Sequence, residues 1–99
     1  MTSTGEPLQF EWDEDKAEAN WRKHRVEFSK AIRIFNHEIF EFVDDRENYG
    51  ETRVVAYGRV DFEVYRMVFT RRGGRQIRII SAWKASKIDR EKYYRQLYP

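Results

Sequence analysis

At 99 residues, 40% hydrophobic and 36% charged, the chain has the makings of one modest soluble domain with a densely charged surface. It has no Cys, which excludes disulfides, thiolate metal sites and thiol nucleophiles, and no apolar run nears the ~18 residues of a membrane span. Its net charge of +2 divides unevenly: residues 1–50 hold 7 Lys/Arg against 12 Asp/Glu, and residues 51–99 hold 12 against 5.

Residues 1–7 read as a frayed polar leader, and the domain is expected over 8–99. Leu8 to Trp12 alternates apolar and polar residues, a short strand. Asp13 is a natural N-cap, with Glu14 and Asp15 on the positive end of the helix that follows to about Lys23. A second helix, capped by Ser29, carries Phe28, Ala31, Ile32 and Phe35 at helical spacing and ends at Asn36-His37. Ile39–Val43 is a strand and 44–51 a polar loop.

Thr52–Val60 is the next strand, with Val54, Ala56, Gly58 and Val60 on one face and Arg53, Val55, Tyr57 and Arg59 on the other. Glu63–Arg71 and Gln76–Ala82 pair across the turn Arg72-Gly73-Gly74-Arg75. Ser86-x-x-Asp89 opens a last helix, Lys87–Tyr98, with Tyr93, Tyr94 and Leu97 on one side. The order is that of an α+β fold: a short N-terminal strand, two helices, an antiparallel meander of about four strands and a C-terminal helix. Helices are expected on one face of the sheet, with Arg and Tyr residues lining the other. The charge imbalance then implies two surfaces of opposite sign, unless the halves interleave and the charges mix.

The junction 76–87 is the first candidate site, because Arg78, Lys84 and Lys87 bring donors and positive charge to a strand end. Guanidinium forks match phosphate oxygens, so Arg71, Arg72, Arg75 and Arg78 around one hairpin suit a phosphate ligand as well as a solvated, charge-protected edge. Arg78 weighs most, since an Arg inside an apolar strand is hard to explain as surface filler. His24 is either a general base or the last polar residue of its helix. At the loop-to-strand junction Tyr49 is placed to stack on a nucleobase and Glu51 to act as a base. Arg53 is placed to hold a phosphate, with a plain Glu51–Arg53 surface pair as the alternative. The spacing of His24 and His37 fits no metal motif, and neither metal nor cofactor is expected.

Taken together, Phe10-Glu11-Trp12-Asp13, Lys16-Ala17, Asn20, Lys23-His24, Phe28, Ala31, Phe35, Asp44-Asp45, Tyr49-Gly50-Glu51, Arg53, Ala56-x-Gly58, Thr70-x-Arg72, Ile77 to Ala82 and Lys84-Ala85 resemble the BrnT toxin family over residues 9–95. The resemblance implies a RelE-like ribonuclease, the cytoplasmic toxin of a type II toxin–antitoxin pair. Its partners would be an RNA substrate and a BrnA-type antitoxin, with DNA reached only through the antitoxin. On that footing Arg78, Arg72 and Lys84 would stabilise charge and Glu51 or His24 would be the base. Tyr49, Arg53, Tyr57, Arg71, Trp83 and Lys87 would contact RNA. Two positions depart from the family pattern. Arg25 follows Lys23-His24 where relatives carry Gly, so the turn must avoid the left-handed region or strain an Arg into it. Trp83 stands where relatives carry Arg, which implies weakened cleavage with base stacking in its place.

Overall fold

Asp13 caps the first helix, its carboxylate accepting from the backbone N–H groups of Asp15 and Lys16 at 2.8 and 3.2 Å. Helix α1 spans Glu14–His24, with acids in its first turn and Arg22, Lys23 and His24 in its last, matching the helix dipole at both ends. The computed structural model describes residues 7–99, so the expected leader lies, Pro7 excepted, outside the described residues.

Helix α1 stops by straining an Arg. Arg25 sits at φ 58, ψ 35 with its N–H on the Trp21 carbonyl at 2.8 Å. A β-carbon in this conformation costs roughly 1–2 kcal/mol, and only part of that is recovered through the reduced freedom of the unfolded chain. Arg25→Gly should therefore raise stability by about 1 kcal/mol, or ~4–8 °C in Tm by thermal melting. A lower Tm would mean that the guanidinium's contact with the Trp21 ring, at 5.5 Å, outweighs the strain.

The second helix differs from expectation. It is α-helical only over Phe28–Ala31 (α2) and continues as a 3₁₀ turn over Ile32–Asn36. Glu27 occupies the N-cap position, while Ser29 lies inside the first turn with its hydroxyl on the Glu27 carboxylate at 3.4 Å. Packing sets this local form: the buried Phe28, Ala31 and Ile34 are spaced by three, the period a 3₁₀ turn keeps on one face. Ile34 then presses on Gly58, in the strand Arg53–Val60. A β-carbon there would stand 2.7 Å from Ile34 Cβ, so only glycine fits.

Strands β2 (Phe40–Asp44), β3 (Arg53–Val60), β4 (Glu63–Arg71) and β5 (Gln76–Lys84) form the expected antiparallel meander. Gly73 and Gly74 take positive φ in the β4–β5 turn. Strand β1 (Gln9–Glu11) adds in parallel to β5, making a mixed sheet of order β1-β5-β4-β3-β2. The first face, with Val54, Ala56, Met67, Phe69, Ile77, Ile79 and Ala82, packs beneath Val26, Phe28, Ala31 and Ile34. The helices are not confined to that face. Helix α3 (Lys87–Leu97), capped by the Ser86 hydroxyl accepting from Asp89 N–H at 3.1 Å, lays Tyr93 on Val55, Tyr57, Val64 and Val68 of the second face. Tyr93 is anchored there by its hydroxyl, which donates to the Glu38 carbonyl at 2.7 Å.

One irregularity decides where the site can be. Val68 pairs with Ser81 but Phe69 with Ile79, so Ile80 is an extra residue in β5. Uninterrupted alternation would put Arg78, Ala82 and Lys84 on one face. The bulge reverses the order, leaving Arg78 on the second face and sending Ala82 and Lys84 to the first.

The chain's two halves also interleave. Glu11 lies near Arg72 and Arg78, Glu41 holds Arg71, and Asp61 lies near Arg33, so the charge division along the sequence is in part mixed in space. Among the described residues no helix is long and apolar enough to cross a membrane.

Candidate active site

The register carries one row across the second face: Phe40 of β2, Tyr57 of β3, Arg66 of β4 and Trp83 of β5. Arg66 is half-buried there. Its Nε donates to the Tyr57 hydroxyl at 3.2 Å, and its guanidinium carbon lies 4.7 Å from the Trp83 ring centroid. No carboxylate among the described residues pairs with it. Burial pushes the Tyr57 phenol up, against the opposing pull of Arg66, so it stays protonated at neutral pH. A partly desolvated guanidinium held, among the described residues, by a phenol and an indole keeps most of its donors for an anion.

Trp83 in turn meets His24, the rings 4.9 Å apart and inclined at 31°. Partial burial, and after it the charge of Lys23, lowers the His24 pKa, so the imidazole is neutral at neutral pH. Asn20 holds this corner together. Strand β1 pairs with β5 only over Gln76–Arg78, leaving the outward backbone groups of Ala82 without a strand. The Asn20 amide supplies one: Nδ2 donates to Ala82 O at 2.8 Å and Oδ1 accepts from Ala82 N at 3.1 Å. Nδ2 also donates to Val26 O at 3.0 Å, so one side chain ties helix, turn and strand beside His24 and Trp83.

Farther along the same face lies a second group of cations. Arg78 and Arg72 approach opposite oxygens of Glu11 at 3.7 and 3.9 Å. Arg53 lies over the Tyr49 ring at 4.0 Å with its Nε 3.4 Å from Glu51. The Tyr49 hydroxyl donates to Asp44 at 3.3 Å. The Asp44 carboxylate is held by Arg46 at 2.8 and 2.9 Å, chiefly through these hydrogen bonds, and its pKa falls to about 2.

A family model for BrnT, the ribonuclease toxin of type II toxin–antitoxin systems, matches residues 12–89. The chain belongs to the BrnT family. Among solved structures it is similar to the ribonuclease toxin BrnT of Brucella abortus, with a TM-score of 0.62 at 23% identity, over 81% of this chain and 99% of that one. That likeness shows the shared fold. No curated protein sequence matches the chain. Membership in a type II toxin family makes an antitoxin its partner class.

Against this BrnT frame, the cations expected to act together separate. Arg72 and Arg78 converge, but Lys84 does not join them. It lies about six strand residues away, on the opposite face, 4.0 Å from Glu63. Arg71 is also on the first face, over Phe69 and held by both Glu41 oxygens at 3.2 Å, apart from Arg72 and Arg78. Tyr57 is only 8% exposed, so its ring is packed and its polar contribution is the hydroxyl on Arg66. Glu51 and Arg53 form the surface pair that was the alternative. Lys87 starts α3, exposed. Among the described residues no group of three or more His, Asp or Glu is placed to hold a metal ion.

Two residues of this candidate site are not singled out by the sequence reading. Arg66 stands in the apolar run Val64 to Val68, and the logic that singles out Arg78 would have found it. Asn20 carries no comparable local signal, because its partner lies 62 residues away.

Proposed function

We propose that this BrnT family member is a metal-independent endoribonuclease that inhibits translation in the cytoplasm, with Arg66 and His24 at its centre and a BrnA-type antitoxin as its inhibitor. The observation that carries this reading is Arg66 itself: a half-buried guanidinium, braced by Tyr57 and Trp83, with no carboxylate partner among the described residues. Neutral His24 takes the proton of a ribose 2′-hydroxyl, whose oxygen attacks the adjacent phosphorus. The bond to the 5′-oxygen breaks, that oxygen takes a proton from water while the imidazolium returns its own to solvent, and the products are a 2′,3′-cyclic phosphate and a 5′-hydroxyl. Arg66 spans the charge that builds on the phosphorane oxygens. Arg72 and Arg78 hold neighbouring phosphates, and DNA is met only through the antitoxin. Glu51 is the weaker base because Arg53 engages it.

Trp83 attenuates this chemistry. It keeps Arg66 and His24 apart by an indole where relatives carry a second cation. The test is cleavage of single-stranded RNA in excess EDTA, which should proceed and should slow as pH falls through the lowered pKa of His24. Loss of cleavage in chelator would overturn the metal-independent reading. Trp83→Arg should cleave on the order of a hundredfold faster; an unchanged rate would remove position 83 from catalysis.

A further inference from the structure

Between α3 and the edge strand β2 runs a groove of about 400 Å³. Its floor is aromatic: Phe40, Phe42 and Tyr57 lie with ring centroids 6.0 to 6.4 Å apart, and Phe42 is 44% exposed. Its wall is polar, with Asp89, Lys92 and Arg95 on successive turns of α3. Lys92 and Arg95 are exposed, and neither has an ion-pair partner among the described residues. The groove adjoins the site above, since Tyr57 belongs to its floor and bonds Arg66.

We propose that this groove is a nucleotide subsite for single-stranded RNA: one base stacks on Phe42, its N–H groups donate to Asp89, and a flanking phosphate sits on Lys92 and Arg95. The inference deepens the ribonuclease reading and rests on it for the position of the cleaved linkage. Nucleotides fit because each joins a flat π-face to an anion, which is the pairing this groove presents. The volume lies at the low end for ligand sites, of order 300–1,000 Å³, which suits one base rather than a folded partner. Asp89 adds a preference, because a carboxylate accepts from exocyclic amino groups such as that of cytosine.

The full chain is titrated with a short 2′-O-methyl RNA, which binds but cannot be cleaved, and affinity is followed by fluorescence anisotropy. Phe42→Ala should weaken binding about tenfold or more. The double variant Lys92→Ala/Arg95→Ala should weaken it comparably and flatten its salt dependence. Asp89→Asn should narrow the preference for oligocytidine over oligouridine. The surface double variant guards against misfolding of the strand variant, and circular dichroism checks both. Wild-type affinity in both variants overturns the proposal, as does loss of antitoxin binding with RNA binding intact. A wild-type protein that binds this RNA without cleaving ordinary RNA overturns the catalytic reading but leaves the groove standing. One that cleaves RNA while the variants bind normally does the reverse, and one that binds no RNA overturns both.

Discussion

Arg66→Ala lowers kcat/KM for RNA cleavage about 10²–10³-fold, the usual cost of removing one preorganised donor from developing charge. The expectation follows from where Arg66 stands. It comes from a central strand, its Nε is committed to the Tyr57 hydroxyl, and its flat face rests near Trp83, so the free edge is fixed before substrate arrives. A guanidinium fixed in this way need not be reorganised in the transition state. Arg66→Lys keeps the charge but loses the fork and the stacking plane, and should recover only part of the activity. Tm should change little for Lys and modestly for Ala. Single-turnover cleavage of a labelled RNA reads the rate. An Arg66→Ala protein that cleaves at the wild-type rate would move the chemistry to the Arg72/Arg78 cluster.

Asn20→Ala lowers folding stability by roughly 2–4 kcal/mol. Three hydrogen bonds vanish together, and the backbone groups of Ala82 and Val26 lose partners that water reaches poorly, at about 1–3 kcal/mol for each group left unsatisfied. Asn20 itself is only 6% exposed. For a domain of this size the drop corresponds to about 8–32 °C in Tm, read by thermal melting. Asn20→Asp should be comparably damaging, because it keeps the acceptor but loses both donations. Below its lowered Tm the Ala variant should still cleave slowly, since the corner holding His24 against Trp83 is loosened. A variant melting within a degree or two of wild type would show that water replaces the amide at the β5 edge.

Local signals were sufficient for most elements. Asp13 and Ser86 announce their helices through short-range capping chemistry, and the glycines at 73 and 74 mark their turn, because each depends only on nearby residues. The second helix departs from expectation because its three-residue apolar spacing serves a 3₁₀ turn as well as an α-helix, and contact with Gly58 decides between them. The site was legible only in pieces. Arg72 and Arg78 lie together beside Glu11, whereas Lys84, expected with Arg78 at the strand-end junction, is sent to the other face by the bulge at Ile80.

By its composition, periodicities and motif order the sequence determined the α+β element series, the absence of thiol chemistry and the family. Tertiary structure alone decided which face each cation occupies, since a bulge exists only relative to the strand beside it. It also decided that Asn20 completes an edge of β5 and that Tyr57, Arg66, Trp83 and His24 come together. Those contacts join residues far apart in the chain, where no local period records them.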